Sequence, residues 1–94
     1  MRVKLRWASQ ALGDLARLHA FLREVNPHAA ANVVKTLTRG AGGLRDHPRL
    51  GMALGGFEPR EVRRLIVGQY DLRYEVVEDE TVVILRLWHT REDR

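Results

Sequence analysis

The architecture follows from one segment, residues 9–48, whose sequence is SQALGDLARLHAFLREVNPHAAANVVKTLTRGAGGLRDHP. In its first half, apolar residues recur at spacings of four, three, four and three, which is the pattern of one face of an amphipathic helix. These residues are Ala11, Leu15, Leu18, Leu22 and Val25. A second helical pattern begins after Asn26-Pro27 and continues to Leu44, before Pro48 ends it. Because the two helices are joined so tightly, we expect them to fold back as a helical hairpin.

The ends of the two helices carry characteristic residues. Ser9 and Asn26 are the predicted N-caps, because their side chains can accept hydrogen bonds from amides of the first turn. Pro27 suits the first helical position, where its missing amide hydrogen costs nothing. Three glycines lie near the end of the second helix, and each costs about 1 kcal/mol relative to Ala in a helix interior. They are Gly40, Gly42 and Gly43, and they indicate either a frayed last turn, which we favour, or a close approach of that turn to the sheet.

Alternation of apolar and polar residues predicts strands on both sides of the hairpin. The predicted strands are residues 2–7, 62–67, 70–76 and 82–88, and residues 48–61 are predicted to be a loop. The order is therefore β-α-α-β-β-β. This order predicts an α+β domain in which the helical hairpin packs on one face of a mostly antiparallel sheet.

The last two strands are predicted to be joined by a two-residue turn, Glu78-Asp79. This register pairs Leu72 with Leu85, Tyr74 with Val83 and Tyr70 with Leu87, and all six then face the helices. The opposite face receives Asp71, Arg73, Glu75, Val82, Ile84, Arg86 and Trp88. A three-residue turn would place Arg86 opposite Leu72, and we prefer the first register because it buries less charge.

Composition excludes several classes of protein. A chain of 94 residues fits one domain, expected to span residues 1–94. Without cysteine there is no disulfide framework, thiolate zinc site or cysteine nucleophile, and no two of the four histidines have the spacing of a metal-ligand pair, so we expect neither metal nor cofactor. The longest apolar run, residues 82–85, is far below the roughly 20 residues of a membrane-spanning helix, and the N-terminus lacks the apolar stretch of a signal peptide. A cytoplasmic protein with no membrane partner is expected.

The net charge of +4 comes almost entirely from arginine, since only Lys4 and Lys35 are lysines. Arginine suits bidentate contact with carboxylates and phosphates. In the C-terminal half, arginines are interleaved with aromatic residues; the set is Arg63, Arg64, Arg73, Arg86 and Arg91 with Tyr70, Tyr74 and Trp88. Such a mixture suits RNA and equally suits a protein partner. The alternative is a solvated strand surface of paired arginines, for example Arg86 with Asp71.

His89, at the end of the last strand, is the best candidate for a general acid or base. A capping or hydrogen-bonding role is the alternative for this residue. Cleavage of RNA needs a base, an acid and cations for the charged phosphorane. Arginine and histidine supply two of these, whereas the candidate bases Glu58, Glu61 and Glu75 belong to no motif.

Several motifs recur in one order along most of the chain. They are the strand ending in Trp7; Ala11, Asp14 and Leu15; Asn26-Pro27 with Ala29-Ala30; Leu44 with residues 47–51; Arg64-Leu65 with Tyr70 and Tyr74; and residues 84–89 with Arg91. In this order and spacing the chain resembles the RelE/ParE superfamily of bacterial toxins. The resemblance implies the toxin of a type II toxin–antitoxin pair, in a hetero-oligomer with a small DNA-binding antitoxin whose C-terminal segment wraps the toxin.

Two activities diverge within this superfamily. RelE-like members cut mRNA in the ribosome with a basic cluster and usually a Tyr or His near the C-terminus, whereas ParE-like members poison DNA gyrase without established hydrolytic residues. The Pro-x-Ala-Ala motif at residues 27–30 and the His-Pro-x-x-Gly motif at residues 47–51 look ParE-like. The chain also lacks a lysine cluster and a tyrosine after Arg91. We therefore predict a ParE-like inhibitor of DNA gyrase, with the plasmid stabilisation and growth arrest that this family implies.

Site residues follow from these hypotheses. For the gyrase inhibitor we predict no catalytic residue, and the predicted partner-binding residues are Arg63, Arg73, Tyr74, Arg86 and Trp88. The first alternative is a RelE-like, ribosome-dependent mRNA endoribonuclease, whose catalytic residues would be Arg64, Arg86, His89 and Arg91. The second alternative is a non-toxic module that only binds the antitoxin.

Overall fold

The structure, a computed structural model, describes residues 2–92 and confirms the predicted order of elements. The helices are α1 (Ser9–Val25) and α2 (Pro27–Gly42), and the strands are β1 (Lys4–Trp7), β2 (Met52–Ala53), β3 (Glu61–Val67), β4 (Tyr70–Val77) and β5 (Thr81–His89). The sheet has the order β1-β5-β4-β3-β2, in which only β1 and β5 are parallel. Strand β2 is new, since residues 48–61 were expected to contain only loop. Within residues 2–92, no helix has the length and hydrophobicity that crossing a bilayer would need.

The helical hairpin forms as predicted, with one difference at its start. The Asn26 side chain caps α2 by accepting hydrogen bonds from the amides of His28 (2.9 Å) and Ala29 (3.4 Å), and Pro27 follows at the first helical position. The prediction for Ser9 is wrong, because Ala8 is the N-cap of α1 and makes no side-chain bond. The Ala8 amide donates to the Ile84 carbonyl at 2.9 Å, so sheet pairing keeps Ala8 extended and the helix begins after it.

The core lies between the hairpin and the sheet. The helices contribute Ala11, Leu18, Val33, Leu37, Ala41 and, just beyond α2, Leu44; the strands contribute Leu72, Tyr74, Val76, Val82, Ile84 and Leu87. Val25, expected on the buried face of α1, is 75% exposed at the tip of the hairpin, where nothing covers it. The helical periodicity therefore identified the buried stripe of α1 except in its last turn.

Gly40 marks a close approach of α2 to the sheet. A Cβ atom at this position would lie 2.8 Å from both γ-methyl carbons of Val67 in β3. The helix also continues through Gly42, so the frayed turn that we favoured is wrong for Gly40. The absence of a side chain here lets the last turns of α2 rest on β3.

The predicted register of β4 and β5 is wrong. Three residues, Glu78–Glu80, join the strands, and Val77 lies opposite Thr81. A β-bulge then shifts the pairing, so that Tyr74 lies opposite Ile84 but Arg73 lies opposite Arg86.

The bulge has a clear physical reason. Strict alternation along β5 would place Ile84 and Arg86 on the same face of the sheet. The extra residue, Leu85, lets Val82, Ile84 and Leu87 all be buried against the helices, while Arg86 stays on the face that points away from them. Val83 and Leu85, predicted to face the helices, are instead half-buried.

Candidate functional site

The sheet face that points away from the helices carries three arginines side by side. Arg64 in β3 pairs with Arg73 in β4, and Arg73 pairs with Arg86 in β5, so the three residues, here called the arginine row, cross the sheet. Trp88 shares this face, two residues beyond Arg86 in β5. The structure therefore brings together Arg73, Arg86 and Trp88 of the predicted partner-binding set.

Two guanidinium groups lie against the ring of Trp88. Its ring centroid lies 4.8 Å from the Cζ atom of Arg73 and 5.0 Å from that of Arg86, and only 8% of the residue is exposed. Arg73 also lies 5.7 Å from the ring of Phe57, in the loop before β3. These distances are typical of cation–π contacts, which hold the two arginines against the sheet.

Two members of the arginine row are bound to buried carboxylates. Arg64 Nε donates to Asp71 Oδ2 at 3.0 Å. Arg86 binds Asp14 of α1 through two hydrogen bonds, Nε to Oδ2 at 2.8 Å and Nη2 to Oδ1 at 3.2 Å. The paired-arginine alternative is therefore correct for both residues, although the carboxylate of Arg86 is Asp14 rather than the expected Asp71.

Asp14 is ionised within this network. Burial acts to raise the pKa of its carboxyl, but hydrogen bonds from Arg86 and from the Leu87 amide, together with the charges of Arg86 and Arg17, outweigh burial and lower that pKa. The same contacts raise the pKa of Arg86, chiefly through its hydrogen bond to Asp14. The pair is therefore charged at neutral pH and fixes Arg86 in one position.

Arg73 is the member of the row with unused hydrogen-bonding capacity. Its Nε atom is buried without a hydrogen-bond partner, and among the side chains that the structure describes no carboxylate forms an ion pair with Arg73. A buried donor left unpaired costs free energy, and a partner's acceptor could reach Nε only if the side chain moved. Arg73 differs from Arg64 and Arg86 in having no carboxylate partner among the described side chains.

Arg63 and Tyr74, the other predicted partner-binding residues, lie on the helix-facing side of the sheet. Arg63 Nη1 donates to the Gly51 carbonyl at 2.7 Å, and its Nε donates to Glu61 at 2.8 Å. Tyr74 is fully buried, and its hydroxyl accepts from the Gly51 amide at 2.9 Å. Both side chains hold the chain around Gly51 against the sheet, and the structure does not bring them together with the arginine row.

His89 and Arg91, proposed for RNA cleavage, are also separated from the row. His89 follows Leu87 on the helix-facing side. Its Nδ1 atom accepts from the Arg91 amide at 3.1 Å, and its Nε2 atom lies 3.2 Å from Gln69 Oε1. These contacts fit the tautomer that carries hydrogen on Nε2, as assigned from the hydrogen bonds. Both ring nitrogens are engaged, which matches the hydrogen-bonding alternative.

Three residues with no role predicted from the sequence also contact this region: Asp14, Arg17 and Phe57. Asp14 Oδ2 accepts from the Leu87 amide at 2.9 Å, and Arg17 Nη2 donates to the Leu87 carbonyl at 3.3 Å. These α1 side chains thus form hydrogen bonds with the backbone amide and carbonyl of Leu87, in the part of β5 that β1 does not reach. One sequence feature could have identified Asp14, because it is an acidic residue on the apolar face of α1, between Ala11 and Leu18, and a buried acid needs a binding partner.

Comparison with known proteins agrees with this fold. A family model described as "ParE toxin of type II toxin-antitoxin system, parDE" matches residues 5–94. The chain belongs to this family. The match confirms the resemblance to the RelE/ParE superfamily and places the chain closer to ParE. A search of curated proteins finds no match.

Solved structures with the same fold come from toxin–antitoxin systems. A chain of the Mycobacterium tuberculosis RelBE2 toxin–antitoxin complex is 30% identical, with 95% of this chain and 92% of that chain covered and a TM-score of 0.65. A chain of the chromosomal ParDE system of P. aeruginosa is 20% identical over 94% and 96%, with a TM-score of 0.76. A chain of the archaeal RelE–RelB complex of Pyrococcus horikoshii OT3 is 16% identical over 99% and 100%, with a TM-score of 0.58. The last two likenesses concern the fold alone.

Proposed function

We propose that this ParE-family toxin, acting as one domain over residues 1–94 in the cytoplasm, inhibits DNA gyrase and is neutralised by a cognate antitoxin. The observation that carries the proposal is how the candidate catalytic groups are arranged. Arg64 and Arg86 are bound to Asp71 and Asp14, while His89 lies on the other side of the sheet with both ring nitrogens engaged. The carboxylates beside the arginine row, Asp71 and Asp14, are thus already bound to arginines and His89 is not beside them, which favours a binding toxin over a nuclease.

The surface that fits a protein target is the arginine row with Trp88 and Phe57. Arginine and tryptophan are enriched among the residues that dominate binding energy at protein interfaces. Arg73 has no carboxylate partner among the described side chains, and its contacts with the rings of Trp88 and Phe57 restrict its motion before a partner arrives. In this proposal Arg63 and Tyr74 act indirectly, by holding the chain around Gly51.

The antitoxin proposal rests on the family and on its solved relatives. The three structures described above come from ParDE or RelBE systems, and two of them are named as complexes. By likeness, this chain would form a hetero-oligomer with a small DNA-binding antitoxin. Growth arrest without the antitoxin, and stabilisation of the plasmid that carries the pair, would follow from that arrangement.

A supercoiling assay with purified gyrase tests the proposed target. We expect the toxin to inhibit supercoiling or to accumulate cleaved DNA–gyrase complexes, and we expect addition of the antitoxin to reverse the effect. Normal supercoiling at a large molar excess of toxin would contradict the gyrase proposal.

A second candidate function is ribosome-dependent cleavage of mRNA. It is favoured by the 30% identity to a chain of the RelBE2 complex and by the arginine row, which could neutralise a phosphate. In that case cells expressing the toxin would accumulate mRNA ends in phase with codons, and His89→Ala and Arg86→Ala would abolish them. Harmless expression without the antitoxin would instead indicate the non-toxic binding module.

A further inference from the structure

An exposed apolar patch lies at the edge of the sheet that β2 and β3 form. Its members, here called the edge patch, are Leu50, Met52 and Ile66, and their exposed fractions are 61%, 64% and 49%. Met52 lies opposite Arg64 in β3, and Ile66 follows Arg64 by two positions, so both side chains are on the face that points away from the helices. Leu50 precedes Met52 by two positions, at the start of the same edge.

The composition of this edge is unusual for a sheet. Single exposed apolar side chains are common on proteins, but natural edge strands usually carry charged residues that prevent other chains from pairing with them. Here the charged residues lie one strand further in, and the outermost strand presents Met52. None of the three edge-patch residues belongs to the core between the hairpin and the sheet. A group of neighbouring exposed apolar residues marks an interaction site.

The arginine row begins directly beside the edge patch. Arg64, the first member of the row, is the β3 partner of Met52, and its side chain is 38% exposed. The side chain of Arg86, the last member, is exposed to the same extent. The acids that bind these two arginines, Asp71 and Asp14, are buried. Guanidinium groups rather than carboxylates therefore reach the solvent here, so a complementary partner presents carboxylates next to apolar side chains.

We propose that the edge patch is part of the surface that binds the target, where it receives an apolar segment of DNA gyrase whose neighbouring carboxylates contact the arginine row. This inference rests on the proposed function, because it requires gyrase to be the target. A second copy of this chain fits less well, since a symmetric contact through this face would bring two arginine rows together. A nucleic acid also fits less well, because bases stack on aromatic rings and the edge patch contains none.

The test measures the concentration of purified full-length toxin that halves the supercoiling activity of gyrase. Met52→Glu should raise this concentration about tenfold or more, because it removes an apolar contact and places a carboxylate against the acids of the partner. Met52→Lys removes the same contact but keeps the electrostatic attraction, so it should raise the concentration only about threefold. Ile66→Glu should act as Met52→Glu does.

Val77→Glu and Val25→Glu are the matched controls, since both valines are exposed. Val77 is the last residue of β4, on the same face of the sheet as Arg73, whereas Val25 lies at the tip of the helical hairpin. Both variants should leave the half-inhibitory concentration within about twofold of the wild-type value. The midpoint of urea unfolding, measured for every variant, shows that each one is folded. We expect the affinity of the edge-patch variants for the cognate antitoxin to stay within about twofold as well.

Inhibition by Met52→Glu and Ile66→Glu at the wild-type concentration would overturn this inference and leave the proposed function intact. Absence of inhibition by the wild-type toxin would overturn both. Equal effects of Met52→Glu and Met52→Lys would contradict an acidic partner.

Three further outcomes would show that something else covers the edge patch, and each would overturn the inference. The first is loss of antitoxin binding in Ile66→Glu. The second is self-association of the wild-type chain that Ile66→Glu abolishes. The third is binding of single-stranded RNA that Met52→Lys strengthens and Met52→Glu weakens.

Discussion

Asp14 connects the helical layer to the sheet through one carboxylate. It binds two nitrogens of Arg86 and the amide of Leu87, directly after the bulge at Leu85. An ionised group buried in this way is stabilised only by such contacts, because it has lost its hydration. Asp14 therefore fixes both the path of β5 after the bulge and the position of Arg86 over Trp88.

Replacing Asp14 with Asn should destabilise the protein by about 1.5–3 kcal/mol at pH 7, the range for hydrogen bonds to charged groups. Since the pKa of Asp14 is lowered in the folded state, its stabilising effect is complete above the pKa of the unfolded chain and is lost as pH falls through the folded-state pKa. The difference between wild type and variant should therefore shrink between pH 7 and pH 2. Urea unfolding across this range measures it, and a difference independent of pH would contradict the role of the charge.

At the scale of elements, the helices could be predicted from residues close together in the sequence, whereas the bulge in β5 could not. The helices follow from spacing within the segment itself, and Asn26-Pro27 marks their junction directly. The bulge at Leu85 has no such local signal, and the residues that follow it, Arg86 and Leu87, bind a carboxylate more than 70 positions earlier in the chain. Because one extra residue reverses the alternation, strict alternation back from Arg86 and Trp88 assigned Val82 and Ile84 to the wrong face.

Contact between α2 and β3 can be tested at Gly40. Gly40→Ala gains about 1 kcal/mol of helix propensity, but its methyl group would lie 2.8 Å from both γ-carbons of Val67, and crowding a packed site costs about 1–3 kcal/mol. We expect net destabilisation in urea unfolding, reduced in a Val67→Ala background. Gly13→Ala is the matched control, because Gly13 lies inside α1 with nothing within 4 Å, and it should stabilise the protein. Equal gains for both variants would contradict the close contact.

At the scale of the whole molecule, the predicted site divides between the two faces of the sheet. Arg63 and Arg64 are neighbours in sequence, and so are Tyr74 and Arg73, yet the pleat sends the first of each pair toward the helices. The alternation of side chains along each strand could have separated the residues of the two faces, since it already placed Tyr74 in the core and Arg73 on the opposite face. The pairing of Arg64 with Asp71 and Arg86 with Asp14 required the folded structure, because it depends on contacts across strands and layers.

The outer face of the sheet should therefore bind the target mainly through Arg73. Arg73→Ala removes cation–π contacts with Trp88 and Phe57 but no hydrogen bond of Nε, so it should lower the free energy of unfolding by about 0.5–2 kcal/mol and leave the protein folded, yet weaken gyrase inhibition about tenfold or more. The measurement compares the toxin concentration needed for half-inhibition of supercoiling with the midpoint of urea unfolding. Arg39→Ala, an exposed arginine of α2 in the helical layer, is the control and should alter neither quantity. Full inhibition by Arg73→Ala would exclude the arginine row as the target-binding surface.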